Sequence, residues 1–74
     1  MSILIVMDRS GDTRHEFDPN DPRALASADR QFRELTGKGF RAVALNRNGQ
    51  PGRLITVFDP AVDQILFIPQ LRGG

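Results

Sequence analysis

Two apolar runs near opposite ends of the chain constrain its fold most strongly. Residues 3–7 and 65–68 are apolar at every position, and most of the 74 residues lie between them. Neither run alternates with polar residues, which predicts strands in the interior of a sheet. A parallel pair needs a long crossover connection, which this spacing supplies. We therefore expect the two strands to pair in parallel at the centre of one sheet.

The intervening sequence predicts three more strands and one helix, giving an α+β fold. The turn at 9–12 contains Gly11, which can take a positive φ and close a hairpin. Asp21 before Pro22 predicts a helix start, because Asp caps the helix and proline suits its first position. Gly37 fits the residue after the helix end. The predicted elements are strands at 2–8 and 13–17, a helix from 22 to about 36, strands at 40–46 and 53–58, a short helical turn at 61–64 and a strand at 65–68.

One helix can cover only one face of this sheet, so apolar side chains on the other face should be exposed. The helix presents a single apolar stripe, formed by Leu25, Ala28, Phe32 and Leu35. Contiguous exposed apolar surface usually marks a binding site, although a half-buried sheet or a dimer contact would have the same pattern. With Ile3 and Ile5 placed beneath the helix, the predicted partner-binding patch is Leu4, Val6, Val43, Leu66 and Ile68, with Ala44 as the alternative to Val43.

The composition narrows the functional classes. Ten Lys+Arg against nine Asp+Glu give a net charge of +1, whereas nucleic-acid arms and polybasic membrane patches need a clear cationic excess. No apolar stretch approaches the ~20 residues of a membrane span, so we expect a cytoplasmic protein without nucleic-acid or membrane partners. The chain has no Cys, and its single His, His15, lacks a second metal ligand. We therefore expect no metal, no cofactor and no catalysis by this chain alone.

The last residues carry a motif that lies outside the predicted domain, residues 1–69. Residues 70–74 are expected to form a flexible tail, and the sequence there includes Leu71-Arg72-Gly73-Gly74. These four residues are identical to the last four of ubiquitin, and residues 1–6 resemble its first strand. Residues 63–69 followed by a diglycine resemble the sulfur carriers of thiamin and molybdopterin synthesis. The element order is similar to that of the β-grasp, a mixed five-stranded sheet with one helix across one face.

The resemblance to bacterial operon-encoded ubiquitin-like modifiers, some of which serve antiphage defence, implies a function. Gly74 would supply a carboxylate that an activating enzyme adenylates with ATP, and Gly73 would give clearance behind it, because glycine allows close backbone approach. Leu71 and Arg72 would be read by that enzyme. A conjugating enzyme would carry the thioester to amines of target proteins, and a deconjugating peptidase would reverse the step. Lys38, the only lysine, is a possible self-modification site, and the free protein is expected to be monomeric.

Two alternatives remain open at this stage. A sulfur carrier would bear a thiocarboxylate on Gly74 and donate sulfide to a biosynthetic enzyme. Arg72 favours the modifier, since the carriers more often have a small or apolar residue before the diglycine. A β-grasp module that binds partners without covalent chemistry would use the predicted patch alone. If the chain continues beyond Gly74, a protease would first have to expose the diglycine.

Overall fold

The computed structural model of the protein describes residues 1–45 and 51–69. The chain has the expected α+β class, with one five-stranded mixed sheet and one helix. The elements are β1 Ser2–Asp8, β2 Gly11–Phe17, α1 Pro22–Gly37, β3 Phe40–Leu45, β4 Pro51–Ile55 and β5 Gln64–Pro69.

The strand order in the sheet is β2-β1-β5-β3-β4. β1 and β5 pair in parallel, as the two apolar runs predict, and the other neighbouring pairs are antiparallel. β1 and β5 each have a strand on both sides, so their backbone groups are paired along both edges. The edges of the sheet are formed by β2 and β4.

The core lies between the sheet and α1. Phe32 of the helix contacts Phe67 of β5 edge to face, with 5.7 Å between ring centroids, a geometry that aromatic pairs favour. α1 contacts β3 more than β2, and the alanines at the inward positions of β3 leave room for this approach. The buried core residues are Leu4, Ala28, Phe32, Ala42, Ala44, Ile65 and Phe67.

Both ends of α1 are set by local chemistry. Asp21 is the N-cap, and its Oδ1 accepts a hydrogen bond of 3.0 Å from the Arg23 N–H, which confirms the predicted start. The predicted end at about residue 36 is within one residue of the observed end, but Gly37 was wrongly placed after the helix, because it is the last helical residue and Lys38 is the cap. Gly39 follows with φ +99°, so this residue, rather than Gly37, takes the conformation that favours glycine.

The region between β4 and β5 differs from the prediction. β4 ends at Ile55, and the chain bends before Phe58, although the sequence predicted a strand through that residue. Phe58 instead packs against Phe32, with 6.0 Å between ring centroids. The expected helical turn at 61–64 is replaced by a turn two residues earlier, closed by the Val62 N–H and the Asp59 carbonyl, and Gln64 already begins β5.

Two Phe-Asp-Pro tripeptides, at 17–19 and 58–60, form similar turns. Oδ1 of Asp18 and of Asp59 each accept a 2.9 Å hydrogen bond from the backbone N–H two residues later. Each Asp carbonyl also accepts a 3.1 Å bond from the N–H three residues later. The rings of Phe17 and Phe58 lie 6.4 Å apart, so the two turns meet at one end of the core. The first continues into α1, and the second leads to β5.

Candidate functional site

The candidate site is the face of the sheet that lies opposite α1. Side chains alternate between the two faces of a strand, and buried Leu4, Ile65 and Phe67 mark the face under the helix. The pairing registers align the outward residues of four strands into one apolar row. Among the described residues, no element covers this row. We call it, with its two neighbours, the open face: Ile3, Ile5, Val43, Leu54, Leu66 and Ile68.

The members of the open face are exposed to different extents. Leu54 on β4 and Ile68 on β5 are 60% and 40% exposed, respectively. The other four are half-buried, since their sheet neighbours shield their flanks. A continuous apolar surface without a covering layer is typical of a site that binds a partner.

The structure corrects the predicted patch on β1. Leu4 is 1% exposed in the core, and Val6 packs against the core, so neither belongs to an exposed patch. Ile3 and Ile5, predicted beneath the helix, lie on the open face instead. The predicted parity was wrong because β1 is apolar at both parities.

The other predicted patch residues lie where expected. Val43, Leu66 and Ile68 are on the open face, whereas Ala44, the alternative to Val43, is 7% exposed beneath the helix. Leu54 is absent from the predicted patch, because the sequence prediction assigns no faces to the fourth strand. Its position opposite Val43 in the β3–β4 register places it in the same row.

Charged residues border the apolar row on two sides. On β2, Asp12, Arg14 and Glu16 lie on the open-face side, and Arg14 Nε is 3.5 Å from Asp12 Oδ2. On β3, Arg41 lies beside Ile68. An apolar centre with a polar rim is the usual organisation of a protein–protein interface.

The β1–β2 turn fixes which residues reach each face. Asp8 Oδ1 accepts hydrogen bonds from the Ser10 hydroxyl at 2.6 Å and from the Ser10 N–H at 2.9 Å. These bonds, the hydroxyl contact foremost, hold the pKa of the Asp8 carboxyl below its usual value. Gly11 follows with φ +120°. The turn thereby sets the hairpin register, and a shift of one residue would exchange the two faces of the edge strand.

Lys38 lies exposed at the end of α1, beside a shallow cleft between the helix and β2. The cleft has a volume of about 230 Å³ and is lined by Val6, Thr13, His15, Gln31, Glu34, Leu35 and Lys38. An exposed ammonium group can be acylated after deprotonation. Within residues 1–45 and 51–69, no cluster of three or more His, Asp or Glu side chains could hold a metal ion, and no helix is long and apolar enough to cross a membrane.

The predicted conjugation terminus, Gly73 and Gly74, and the predicted recognition residues, Leu71 and Arg72, lie outside the described residues. β5 ends at Pro69, immediately before residues 70–74. Comparison with protein families, with curated proteins and with solved structures found no match.

Proposed function

We propose that this chain is a β-grasp protein of the ubiquitin-like type that is joined to target proteins through Gly74. One observation carries the proposal: a five-stranded sheet of order β2-β1-β5-β3-β4, with a central parallel pair and one helix, whose central strand β5 is followed within two residues by Leu71-Arg72-Gly73-Gly74. The family resemblance of the motif and the element order of the fold agree with each other. A bacterial conjugation pathway, such as those used in antiphage defence, is the proposed setting.

The proposed chemistry needs only a carboxylate from this chain. The Gly74 carboxylate attacks the α-phosphorus of ATP, pyrophosphate leaves, and an acyl adenylate forms. A cysteine thiolate of the activating enzyme displaces AMP to give a thioester, which passes to a conjugating enzyme. A target amine then displaces the thiol and forms an amide bond. The absence of Cys from this chain is compatible with the scheme, since every thiol belongs to a partner.

The open face is the proposed docking surface for these enzymes. Its apolar row runs across β1, β5, β3 and β4, and the same β5 that contributes Leu66 and Ile68 leads directly to the terminal motif. A partner bound there would hold the base of the tail. The length of chain after Pro69 would then limit the distance between the docking site and the reacting carboxylate.

Incubation of the full chain with ATP and with any activating and conjugating enzymes found encoded beside its gene tests the proposal. We expect intact mass spectrometry to show an adenylate, a reducible thioester on the enzyme and an isopeptide on a target lysine. The Lys38→Arg variant should form the thioester equally well while losing any adduct on residue 38, which leaves the N-terminal amine as the acceptor within this chain. Deletion of Gly73 and Gly74 should abolish every adduct.

Other outcomes would replace the proposal with a different function. Exchange of one carboxylate oxygen for sulfur, without transfer to an amine, would identify a sulfur carrier. Absence of any adduct, with partner binding unaffected by deletion of the diglycine, would identify a non-covalent binding module.

A further inference from the structure

The two edges of the sheet are built differently. β4 is five residues long, begins at Pro51, and pairs with β3 through a register shift at Ala44/Leu45. β2 is seven residues long, contains neither proline nor lysine, and keeps one register along the whole of β1. Proline and bulges are among the devices that prevent an edge from pairing with another strand, and β4 has both. β2 has neither; its protection consists of charged side chains, which admit a strand of complementary charge.

The backbone groups that β2 presents at its free edge can be assigned. The N–H of Ile3 donates to the Asp63 carbonyl at 2.8 Å, on the β5 side of β1. Backbone groups of alternate residues point to opposite neighbours, so Ile3, Ile5 and Met7 bond toward β5 rather than β2. Their partners on β2 therefore direct their N–H and C=O groups to the free edge. These partners are Asp12, Arg14 and Glu16.

The side chains of these three residues restrict which strand can be added. Their charges alternate negative, positive, negative along the open-face side of β2. A second β2 placed antiparallel and centred on Arg14 would oppose Arg14 to itself and Asp12 to Glu16, and like charges in opposed positions are destabilising. A register centred on His15 instead opposes Arg14 to Glu16 twice, and the Asp12 that it brings opposite Asp18 meets a residue beyond the end of β2, whose Oδ1 accepts from the Asn20 N–H. A register centred on Thr13 would oppose Arg14 to Asp12, but Asp12 already contacts Arg14 of its own chain, whereas Glu16 has no ion-pair partner within the described ranges.

We propose that a second copy of this chain pairs with β2, antiparallel and centred on His15. Arg14 of each copy then faces Glu16 of the other, and their free N–H and C=O groups form hydrogen bonds between the copies. The twofold axis is perpendicular to the sheet, so both open faces lie on the same side of a ten-stranded sheet. Because the β4 edge is blocked, the assembly closes as a dimer rather than growing into a fibre. The monomer expected from the sequence is then the dissociated form.

Sedimentation velocity and sedimentation equilibrium on the full chain, at concentrations up to about 1 mM because a short interface binds weakly, test this pairing. We expect a reversible monomer–dimer equilibrium for the wild type. Arg14→Glu and Glu16→Arg each turn two attractive pairs into two repulsive ones, and each should weaken dimerisation at least about tenfold. Arg41→Glu makes the same charge change on β3, away from β2, and should leave the dissociation constant unchanged.

Mixing the two single variants gives the sharpest result. In the heterodimer, the Arg14→Glu copy presents carboxylates at both positions and the Glu16→Arg copy presents guanidinium groups at both. Both pairs between the copies are then attractive, so we expect recovery to within about threefold of the wild-type constant. A mixture of Arg41→Glu with Glu16→Arg has the same net charges, but its heterodimer keeps one repulsive Arg–Arg pair and should stay weaker than the wild type, while Arg41→Glu homodimers form normally. A wild type that stays monomeric, a Glu16→Arg variant that dimerises normally, or equal heterodimer constants in the two mixtures would overturn the proposal.

Discussion

The two faces of the sheet are similarly apolar in sequence but differ in what covers them. β5 shows the contrast within one strand, because Phe67 is 0% exposed and its neighbour Ile68 is 40% exposed. Phe67 points toward α1 and contacts Phe32, whereas Ile68 points to the opposite face and lies beside Arg41 of β3. The helix face therefore stabilises the fold, whereas no element of the described residues covers the open face.

This difference shows that hydrophobicity alone does not separate a core from a binding surface. Both faces of β1 carry large aliphatic residues, so their composition gives the same signal. What separates the faces is the position of α1, and that position depends on the hairpin register and on the aromatic contacts of Phe32. The following changes test each of these dependences.

Replacing Phe67 by alanine should have the largest effect. Truncation of a buried Phe removes apolar contacts and leaves a cavity, and it typically costs about 3–5 kcal/mol. A small domain has a total stability of only about 5–15 kcal/mol, so most of it could be lost. Urea denaturation followed by circular dichroism measures the change.

Ile68→Ala is the matched control for this change. The side chain is on the open face of the same strand, and its truncation should cost less than about 1 kcal/mol, because substitutions at partly exposed sites leave no enclosed cavity. Equal losses for the two variants would contradict the division between a stabilising face and an available face.

Much of the fold follows from local sequence chemistry. The two apolar runs predicted the central parallel pair, and Asp21-Pro22 predicted the start of α1, because capping and proline geometry depend on adjacent residues only. The end of β4 could not be predicted this way. Phe58 fits a strand pattern, yet its contact with Phe32, distant in sequence, draws it away from the sheet.

The assignment of faces failed for a different reason. β1 is apolar at both parities, so its own sequence cannot show which side faces the helix. The signal lies in β2, where Phe17 is the only apolar side chain. The hairpin register places Phe17 opposite Ser2, and hence Ser2, Leu4 and Val6 on the helix side. The proposed role of residues 71–74, by contrast, rests on resemblance and on their position after β5.

Gly11→Ala should have the next largest effect on stability, because it strains the turn that sets this register. Gly11 has φ +120°, and an added Cβ would meet no atom within 4 Å. The loss of stability, of order 1–3 kcal/mol, would therefore come from backbone strain. Gly37→Ala is the control, since Gly37 is helical and also has space for a Cβ. It should be neutral or slightly stabilising in the same urea titration.

Ser2→Ala should raise stability by about 1 kcal/mol or less, because the Ser2 side chain is 1% exposed and its Oγ has no hydrogen-bond partner among the described residues. Removing a buried hydroxyl without a partner removes its desolvation penalty. Ser2→Thr keeps the hydroxyl and adds a methyl group at the same buried position, so its urea midpoint should fall. A midpoint for Ser2→Ala below that of the wild type would show that the hydroxyl is satisfied.

Asp8→Asn should have the smallest effect on stability, and that effect should depend on pH. Its folded pKa is lowered from 3.8, mainly by the hydrogen bond from the Ser10 hydroxyl. The ionised carboxylate therefore contributes stability that is complete above the unfolded pKa and is lost as the pH falls through the lower folded pKa. The urea midpoint of the wild type should exceed that of Asp8→Asn above pH 3.8, and the difference should shrink on further acidification.

Ser10→Ala tests whether the Ser10 hydroxyl lowers the pKa of Asp8, because this variant leaves the Asp8 carboxylate in place. It keeps the Asp8 carboxyl but removes the hydroxyl that contributes most to the shift. A carboxyl ¹³C titration should then show the pKa of Asp8 closer to its usual value than in the wild type. An unchanged pKa would mean that the turn backbone, rather than the Ser10 side chain, holds the carboxylate.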